Sequence, residues 1–532
     1  MSDSETTVDS WYETTRVASR DRGKLTFELD LDVCVVGAGL AGLTVAREIA
    51  KRGWSVAVLE AGRVAWAASG RNTGFVLPGF HEDEATIIER IGLDHARQLY
   101  ALSKDGVDYV RRTIEETRMQ GVDPVPGWLH VSKTDDDDTV RSRAERLRWI
   151  GAEVEAWPAA RVREALPNPR YFGALHYRNA FHIHPLNYAL GLAEEAENAG
   201  VRIFEETPAL SIDAGGVRKR INTPDARVRA ANVVLAANVH LGELMPQLAA
   251  TLLPITTYVM VTEPIPVLNE VIRYTGGISD TDRADNHYRV IGGNRLQWGG
   301  RVRLWDAEPR LIARSLLGDI KRNFPALGEV SVAHLWRGTL GRAIHRMPQV
   351  GQIEPGLWVA SGFGGHGLNT TAMAGDLIAR GIVENDETWR LFAPYELVWA
   401  GGKIGRAIAQ GLYWGSRPVA RVEQELARYR EKARERKAVR QAARAAARAE
   451  ERAKLPPKLP PKQAAALSAI AEVAEAEQGA HVAAASVQAN VAPSVTPVTP
   501  DDRAAHLEAP APAKPKEFGR RKRGPKKPKG GS

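Results

Sequence analysis

Asp32-Val33-Cys34-Val35-Val36-Gly37-Ala38-Gly39-Leu40-Ala41-Gly42 is the stretch on which the fold turns. An apolar run of strand character, Asp32 to Val36, leads directly into Gly37, Gly39 and Gly42 at the spacing G-x-G-x-x-G, and apolar residues then recur at helical intervals to Ala50. Gly53 follows that helix, and a second strand, Ser55 to Glu60, comes next. Strand, glycine turn, helix and strand within about 30 residues open a doubly wound parallel sheet. The first two glycines let the backbone approach a pyrophosphate, the third lets helix meet strand, and unpaired N–H groups at the helix start face the anion. Glu60 stands 18 residues after Gly42, placed to accept hydrogen bonds from an adenosine ribose. Its charge would repel a 2′-phosphate, which argues against NADP. The plainer alternative is that the glycines serve only a tight turn, and these residues alone do not separate NAD from FAD.

The chain around this stretch has 532 residues, 44% hydrophobic and 26% charged, enough for a large core and more than one domain. The net charge of +8 is unevenly spread. Arg421 to Ser532 holds 24 Lys and Arg against 13 Asp and Glu, whereas Met1 to Ala420 is at −3. The basic character therefore belongs to an appendage and does not make the body a nucleic-acid binder. With one cysteine, Cys34, an intramolecular disulfide and a thiolate-rich metal site are excluded, and no metal site is expected. Asp3, Glu5 and Asp9 open the chain without a secretory pattern, and no apolar run is long enough to span a membrane, so a cytoplasmic location is the expectation.

Residues 1–29 read as an arm lying on a domain. His81 to Trp157 reads as mostly helical and charged, with Asp135 to Asp138 as a solvated acidic loop. A helix is expected over Pro185 to Gly200, and strands over Val201 to Phe204 and Ala231 to Ala236. Thr256 to Thr262, Tyr288 to Ile291 and Arg295 to Trp298 alternate with Gly and Pro, which suggests an antiparallel sheet forming a second layer. Leu357 to Ser361 reads as a strand entering glycines before the helix Ala372 to Ile382. Val419, Val422, Leu426 and Tyr429 form one stripe of a later helix that fades by Arg452. From Lys454 onward Pro, Ala, Lys and Val dominate, too little to build a core, so disorder is expected there.

Two further segments give the chain a resemblance: Ala67 to Gly74, containing Ser69-Gly70-Arg71-Asn72, and Ser361 to Leu368, containing Gly365-His366-Gly367, before the helix with Gly375 and Asp376. With Ser10-Trp11-Tyr12, Val234-Leu235-Ala236-Ala237-Asn238 and Gly299-Gly300-Arg301, the chain resembles the D-amino-acid oxidase superfamily of flavoenzymes over roughly Ser10 to Val383. Within it, it is most similar to the gamma-glutamylputrescine oxidase branch. The implied fold is α/β, α+β overall: a discontinuous doubly wound FAD-binding domain and an antiparallel-sheet substrate domain, followed by a helical C-terminal extension and a disordered basic tail. The implied domains are 1–29 as arm, 30–385 as oxidoreductase, 386–452 as helical extension and 453–532 as tail. Within the oxidoreductase, 30–80, 151–240 and 335–385 are expected to hold FAD, and 81–150 and 241–334 the substrate.

The resemblance implies extended FAD. The turn Gly37, Ala38, Gly39, Leu40, Ala41 and Gly42 would hold the pyrophosphate, Glu60 with Ala61 the ribose, and Ala209 would lie at the adenine. Ser69, Gly70, Arg71 and Asn72 would pass near the flavin ring, and Gly364, Gly365, His366, Gly367 and Leu368, with Gly362 before them, would set N–H groups where reduction builds charge. Relatives linked to flavin through histidine carry it just after the equivalent of Trp66, where this chain has Ala67, and the cysteine used by others is missing from His334 to Pro348. FAD is therefore expected to be non-covalent. No lysine occurs between Lys219 and Lys321 to promote reaction with oxygen, which tilts the reading towards a dehydrogenase; the acceptor, oxygen or a redox partner, stays open.

The implied chemistry is hydride transfer from the carbon beside a neutral amine to flavin, giving an imine that water hydrolyses. Tyr258, Arg301 and His366 are the candidate catalytic residues, and His287, Tyr288, Trp298, Trp336 and His345 are further candidates for the pocket wall. Aromatics could hold a cationic amine and Arg301 a carboxylate. His182 and His184 alternate as on a strand face and read as structural. A rival substrate is a sarcosine-like secondary amino acid or a hydroxy acid. A rival class is a flavin-bearing scaffold recruited by its basic tail to membrane or nucleic acid. Leu391 to Trp414 and the helix to Arg452, with Trp399, Tyr413 and Trp414, could touch the inner face of an anionic membrane, but packing on the body or a second subunit is the favoured reading. The basic block Arg520 to Lys529 reads as a solvated tail, with nucleic acid disfavoured.

Overall fold

A computed structural model of the chain describes residues 10–281, 286–304, 307–454 and 461–485. The opening stretch forms strand Leu29–Val36, helix Leu40–Lys51 and strand Val56–Leu59. Alternation sends successive side chains to opposite faces. Val33 and Val35 join a core with Leu43, Ile49, Leu192 and Ile378 from the covering helices, while Cys34 and Val36 pack with Ile221, Val233 and Leu241 on the other face. A strand buried on both faces has to be apolar throughout, as this one is at its end.

That strand is central in an eight-stranded sheet of order Gln349–Glu354, Leu357–Ser361, Arg227–Leu235, Leu29–Val36, Val56–Leu59, Arg202–Phe204, with Lys219–Asn222 beside Arg227–Leu235 and Ser211–Asp213 beside Lys219–Asn222. All neighbours in this path are parallel except the antiparallel pair Gln349–Glu354 and Leu357–Ser361. The glycine turn thus lies at the C-terminal edge of the parallel strands, where such sheets take their ligands. Helix Gly367–Val383 packs against Leu40–Lys51 and against the long helix Leu93–Thr117.

A second, nine-stranded sheet runs Val332–Ala343, Leu252–Thr262, Arg295–Arg303, His287–Ile291, Gly277–Asp280, Val125–Val131, Ala174–His182, Phe75–Val76, with Glu155–Trp157 beside Ala174–His182. It is antiparallel apart from the pair Gly277–Asp280 and Val125–Val131. Four of its strands, Phe75–Val76, Glu155–Trp157, Ala174–His182 and Val332–Ala343, fall wholly or largely inside ranges that the sequence reading assigned to the FAD part. They are short or broken by Gly and Arg, and their partners are distant in sequence, so local pattern did not place them. The acidic run is the start of helix Asp137–Trp149: Asp136 caps it by accepting from the Thr139 N–H, and Asp137 and Asp138 sit in its first turn.

The arm is stitched into the body. Tyr12 is 1% exposed and donates its hydroxyl to Gln297 (2.8 Å), and Gln297 donates to the Thr73 carbonyl. Buried Arg289 ties Tyr12, Gln297, His182 and the Ile183 carbonyl together, while His184 caps helix Pro185–Asn198, so both histidines are structural. Helix Gly402–Lys454 is held by an Arg163–Glu431 ion pair and by Arg434 on Asp136.

The chain divides into 1–440 and 441–532. In the second unit Pro461–Ala485 is helical, where the sequence reading expected disorder. Its alanine-rich sequence favours helix without a core, and its positions 462–476 are exposed. The basic block Arg520 to Lys529 and the side chains of Tyr413 and Trp414 lie outside the described residues. Among the described residues, no helix is long and apolar enough to cross a membrane.

Candidate active site

At the glycine turn each glycine has a separate steric cause. Gly37 holds φ +108°, Gly39 starts the helix, and a Cβ on Gly42 would lie 2.0 Å from the Gly37 carbonyl oxygen. A Cβ on Gly39 would meet the Ser69 hydroxyl at 2.9 Å, and that hydroxyl accepts from the Leu40 N–H (3.0 Å). The Glu60 carboxylate accepts from Ala38 N–H and Gly62 N–H, both at 2.8 Å, one on each oxygen. Burial raises its pKa against the pull of those N–H groups. A carboxylate has about four lone-pair sites, so these N–H groups leave room for a ligand hydroxyl.

From this turn a cavity of about 1520 Å³ passes Pro208 and Ala209, Ser69 to Thr73, and Phe363 to Leu368, and reaches Trp128, Tyr177, Tyr258 and His287. That exceeds the roughly 300–1,000 Å³ of an ordinary ligand cleft. Ala38, Gly42, Gly70 and Gly362 stand behind its wall. A Cβ on Gly70 would collide with the Ala65 carbonyl, and Gly362 turns with φ +70° against Gln349.

Five imidazoles line the cavity: the exposed His240 and the four rings of His81, His130, His287 and His366. Burial lowers His81 and His130 to about 3 and His287 and His366 to about 4, with nearby cationic groups adding to this for His81, so all four are neutral at pH 7. His366 is held by the backbone carbonyls of Gly79 and Pro78, and its Nδ1 has no hydrogen-bond partner among the described residues. The proton therefore belongs on the other nitrogen and Nδ1 is a bare acceptor. His366 also precedes helix Gly367–Val383 without capping it, so first-turn N–H groups remain for a ligand. His287 Nδ1 lies 2.7 Å from the Ser279 hydroxyl, which accepts from the Trp128 indole N–H at 2.8 Å. His130 stacks on Trp128 with centroids 5.3 Å apart, and Trp128 stacks on Tyr177 at 4.8 Å.

Of the residues expected to wall the pocket, Tyr258, His287 and His366 do so. The Tyr258 hydroxyl accepts from the Ala307 N–H (3.2 Å). Arg301 does not, and this corrects its assignment to a substrate carboxylate. Gly300 and Val302 line the cavity, so strand alternation sends Arg301 to the other face, where it bonds the buried Asp319 and the Ser315 carbonyl of helix Pro309–Asn323. Tyr288 and Trp298 stack on each other at 4.4 Å in a separate core, Trp336 donates to the Arg71 carbonyl, and His345 packs on Tyr395. Sequence reading missed His81, His130, Trp128 and Tyr177. The alternation Trp128-Leu129-His130 was the available signal. It also missed Gln410 of the extension, a cavity-lining residue that accepts from the Leu304 N–H (3.0 Å).

The sequence profile described as FAD dependent oxidoreductase matches residues 32–380. The chain belongs to that family. The flavoenzyme is 32% identical to gamma-glutamylputrescine oxidoreductase of Escherichia coli over 367 residues, covering 68% of this chain and 86% of that relative. It is 30% identical to the probable oxidoreductase OrdL of Haemophilus influenzae over 417 residues, covering 76% and 94%. Its fold is shared with glycine oxidase from Geobacillus kaustophilus, with TM-score 0.60 at 22% identity over 70% of this chain and 99% of that one. L-proline dehydrogenase from P. horikoshii gives TM-score 0.59 at 19% identity over 69% and 98%.

FAD is the cofactor of this oxidoreductase, held non-covalently, and the residues fit it. The turn is a cradle that side chains would fill, the cavity is long enough for a dinucleotide with substrate beside it, and an uncapped helix start faces its far part. The expected linkage points are absent, since Ala67 follows Trp66 and Cys34 is buried in the sheet away from the cavity.

Proposed function

We propose that the protein oxidises the C–N bond of an amine or amino acid to an imine that water hydrolyses. The observation that carries this reading is the cavity that runs from the glycine turn to a wall of stacked Trp128 and Tyr177 beside the neutral imidazoles of His287 and His366. When bound, FAD accepts the hydride leaving the carbon beside nitrogen. An amine arrives protonated, and its nitrogen must lose a proton before its lone pair can assist that departure. The aromatic faces of Trp128 and Tyr177 suit a cation on arrival. That proton leaves to solvent as the amine enters, and the neutral His366, its ring fixed by Gly79 and Pro78, sets no competing positive charge beside the nitrogen. His287, oriented through Ser279, and Tyr258, anchored by Ala307, limit the substrate to one pose. Phe75, Leu77, Phe80 and Ile87 keep water from the wall they form. First-turn N–H groups at Gly367 and Leu368 favour the negative charge that hydride transfer delivers.

The names of the relatives, gamma-glutamylputrescine oxidoreductase, glycine oxidase and L-proline dehydrogenase, each specify an amine or amino acid, which supports the reading. Among the described residues no lysine lines the cavity, which favours a dehydrogenase. The test is a steady-state donor panel of primary amines, secondary amino acids and hydroxy acids on matched skeletons, run in parallel with oxygen and with a dye acceptor. Turnover of an amine, faster with dye than with oxygen, is expected. Turnover of hydroxy acids alone would overturn the assignment.

A further inference from the structure

The C-terminal extension leaves an apolar face uncovered. Ile404, Ile408, Leu412, Val422, Leu426 and Tyr429 of helix Gly402–Lys454 are each 47% to 73% exposed. At 3.6 residues per turn they fall within an arc of about 100°. Gln410, which bonds the Leu304 N–H, and Glu431, which pairs with Arg163, lie on roughly the opposite side. The helix is therefore fastened to the body by one face while its apolar stripe points to solvent. Trp399, 66% exposed, stands just before it.

Charge narrows what can cover the stripe. Residues 402–430 contain six Lys and Arg against two Glu, and Arg421 to Ser532 is at +11. Exposed Arg430, Lys432 and Lys437 flank the stripe. A second copy of the chain would bring the same cationic segment against itself. A nucleic acid would match the charge and leave the apolar stripe in water. An anionic bilayer supplies acidic headgroups and an apolar layer beneath them, and aromatic residues such as Trp399 settle at that boundary.

We propose that this stripe, together with Trp399, docks the enzyme peripherally on an anionic lipid surface. Leu412 and Ala409 also line the cavity, so a bilayer seated on this stripe lies at the cavity rim. This binding does not depend on the amine chemistry, and its test does not use turnover.

The test is co-sedimentation of the full-length protein with sonicated vesicles of phosphatidylcholine alone and of phosphatidylcholine with an equal part of phosphatidylglycerol, at 0.1 M salt. Binding to the anionic vesicles is expected to be at least tenfold tighter than to the neutral ones. Ile404→Glu, Ile408→Glu and Leu426→Glu combined are expected to weaken it at least tenfold, while flavin absorbance shows the body folded. If that variant does not fold, Trp399→Ser carries the test, with a threefold or greater loss expected. Wild-type protein that stays in the supernatant overturns the proposal. So does a triple variant that binds like wild type, since tail charge alone would then explain sedimentation. A dimer in sedimentation velocity that the triple variant abolishes, without vesicle binding, assigns the stripe to a second copy and overturns it as well.

Discussion

His366 is neutral at any pH above about 4, because burial holds its imidazole there, and so sets no cation against the amine. His366→Gln keeps a donor for the Gly79 and Pro78 carbonyls and removes the imidazole that shapes the cavity wall. It is expected to lower kcat/KM for amines about 10²-fold with flavin content retained, measured by steady-state kinetics against flavin absorbance. Arg301 makes the opposite case, an eye-catching cation whose strand parity turns it away from the cavity. Arg301→Met leaves buried Asp319 without its main partner and should destabilise the protein by about 3–5 kcal/mol in urea unfolding. A raised KM for carboxylate-bearing donors at unchanged stability would instead put Arg301 in the pocket. At the nucleotide turn, a Cβ on Gly42 meets backbone that cannot step aside, so Gly42→Ala is expected to cost about 3 kcal/mol and to purify with little flavin.

At the scale of elements, legibility followed the range of the interactions. Strand Leu29–Val36 and the helix after it were plain because apolar period, glycine spacing and a following strand agree within one stretch of chain. Val125–Val131 was hidden because it pairs with Ala174–His182 and Gly277–Asp280, far away in sequence, and lies within a helical region. His81, His130, His287 and His366 are likewise brought together only by the meeting of two sheets, and no local spacing announces them. The stripe Val422, Leu426 and Tyr429 was readable as helix, but not that it faces solvent while Glu431 faces Arg163. That ion pair is partly exposed and modest. Glu431→Gln should loosen its turn by about 1 kcal/mol or less, seen as faster amide exchange over 425–437 with the rest of the body unchanged.

For the whole molecule, one sheet positions a dinucleotide and the other closes the cavity over its far part. Cavity building leaves a signature in stability. The four histidines have pKa values depressed below their unfolded value near 6.5, so the unfolded chain binds more protons between that pH and about 3–4. Their contribution is intact above pH 6.5 and is lost progressively as pH falls from there to about 3–4. The urea midpoint should therefore be lower at pH 5 than at pH 7.5; equal midpoints would show that these rings are not buried neutral.

The most direct measurement is the absorption spectrum of the protein after gel filtration, after acid precipitation, and during anaerobic titration with an amine and its matched hydroxy acid. A yellow chromophore that travels with the protein, passes into the acid supernatant, and is bleached by the amine alone is the predicted result. A chain that stays colourless after incubation with FAD, or a flavin bleached by the hydroxy acid and not the amine, would contradict the account.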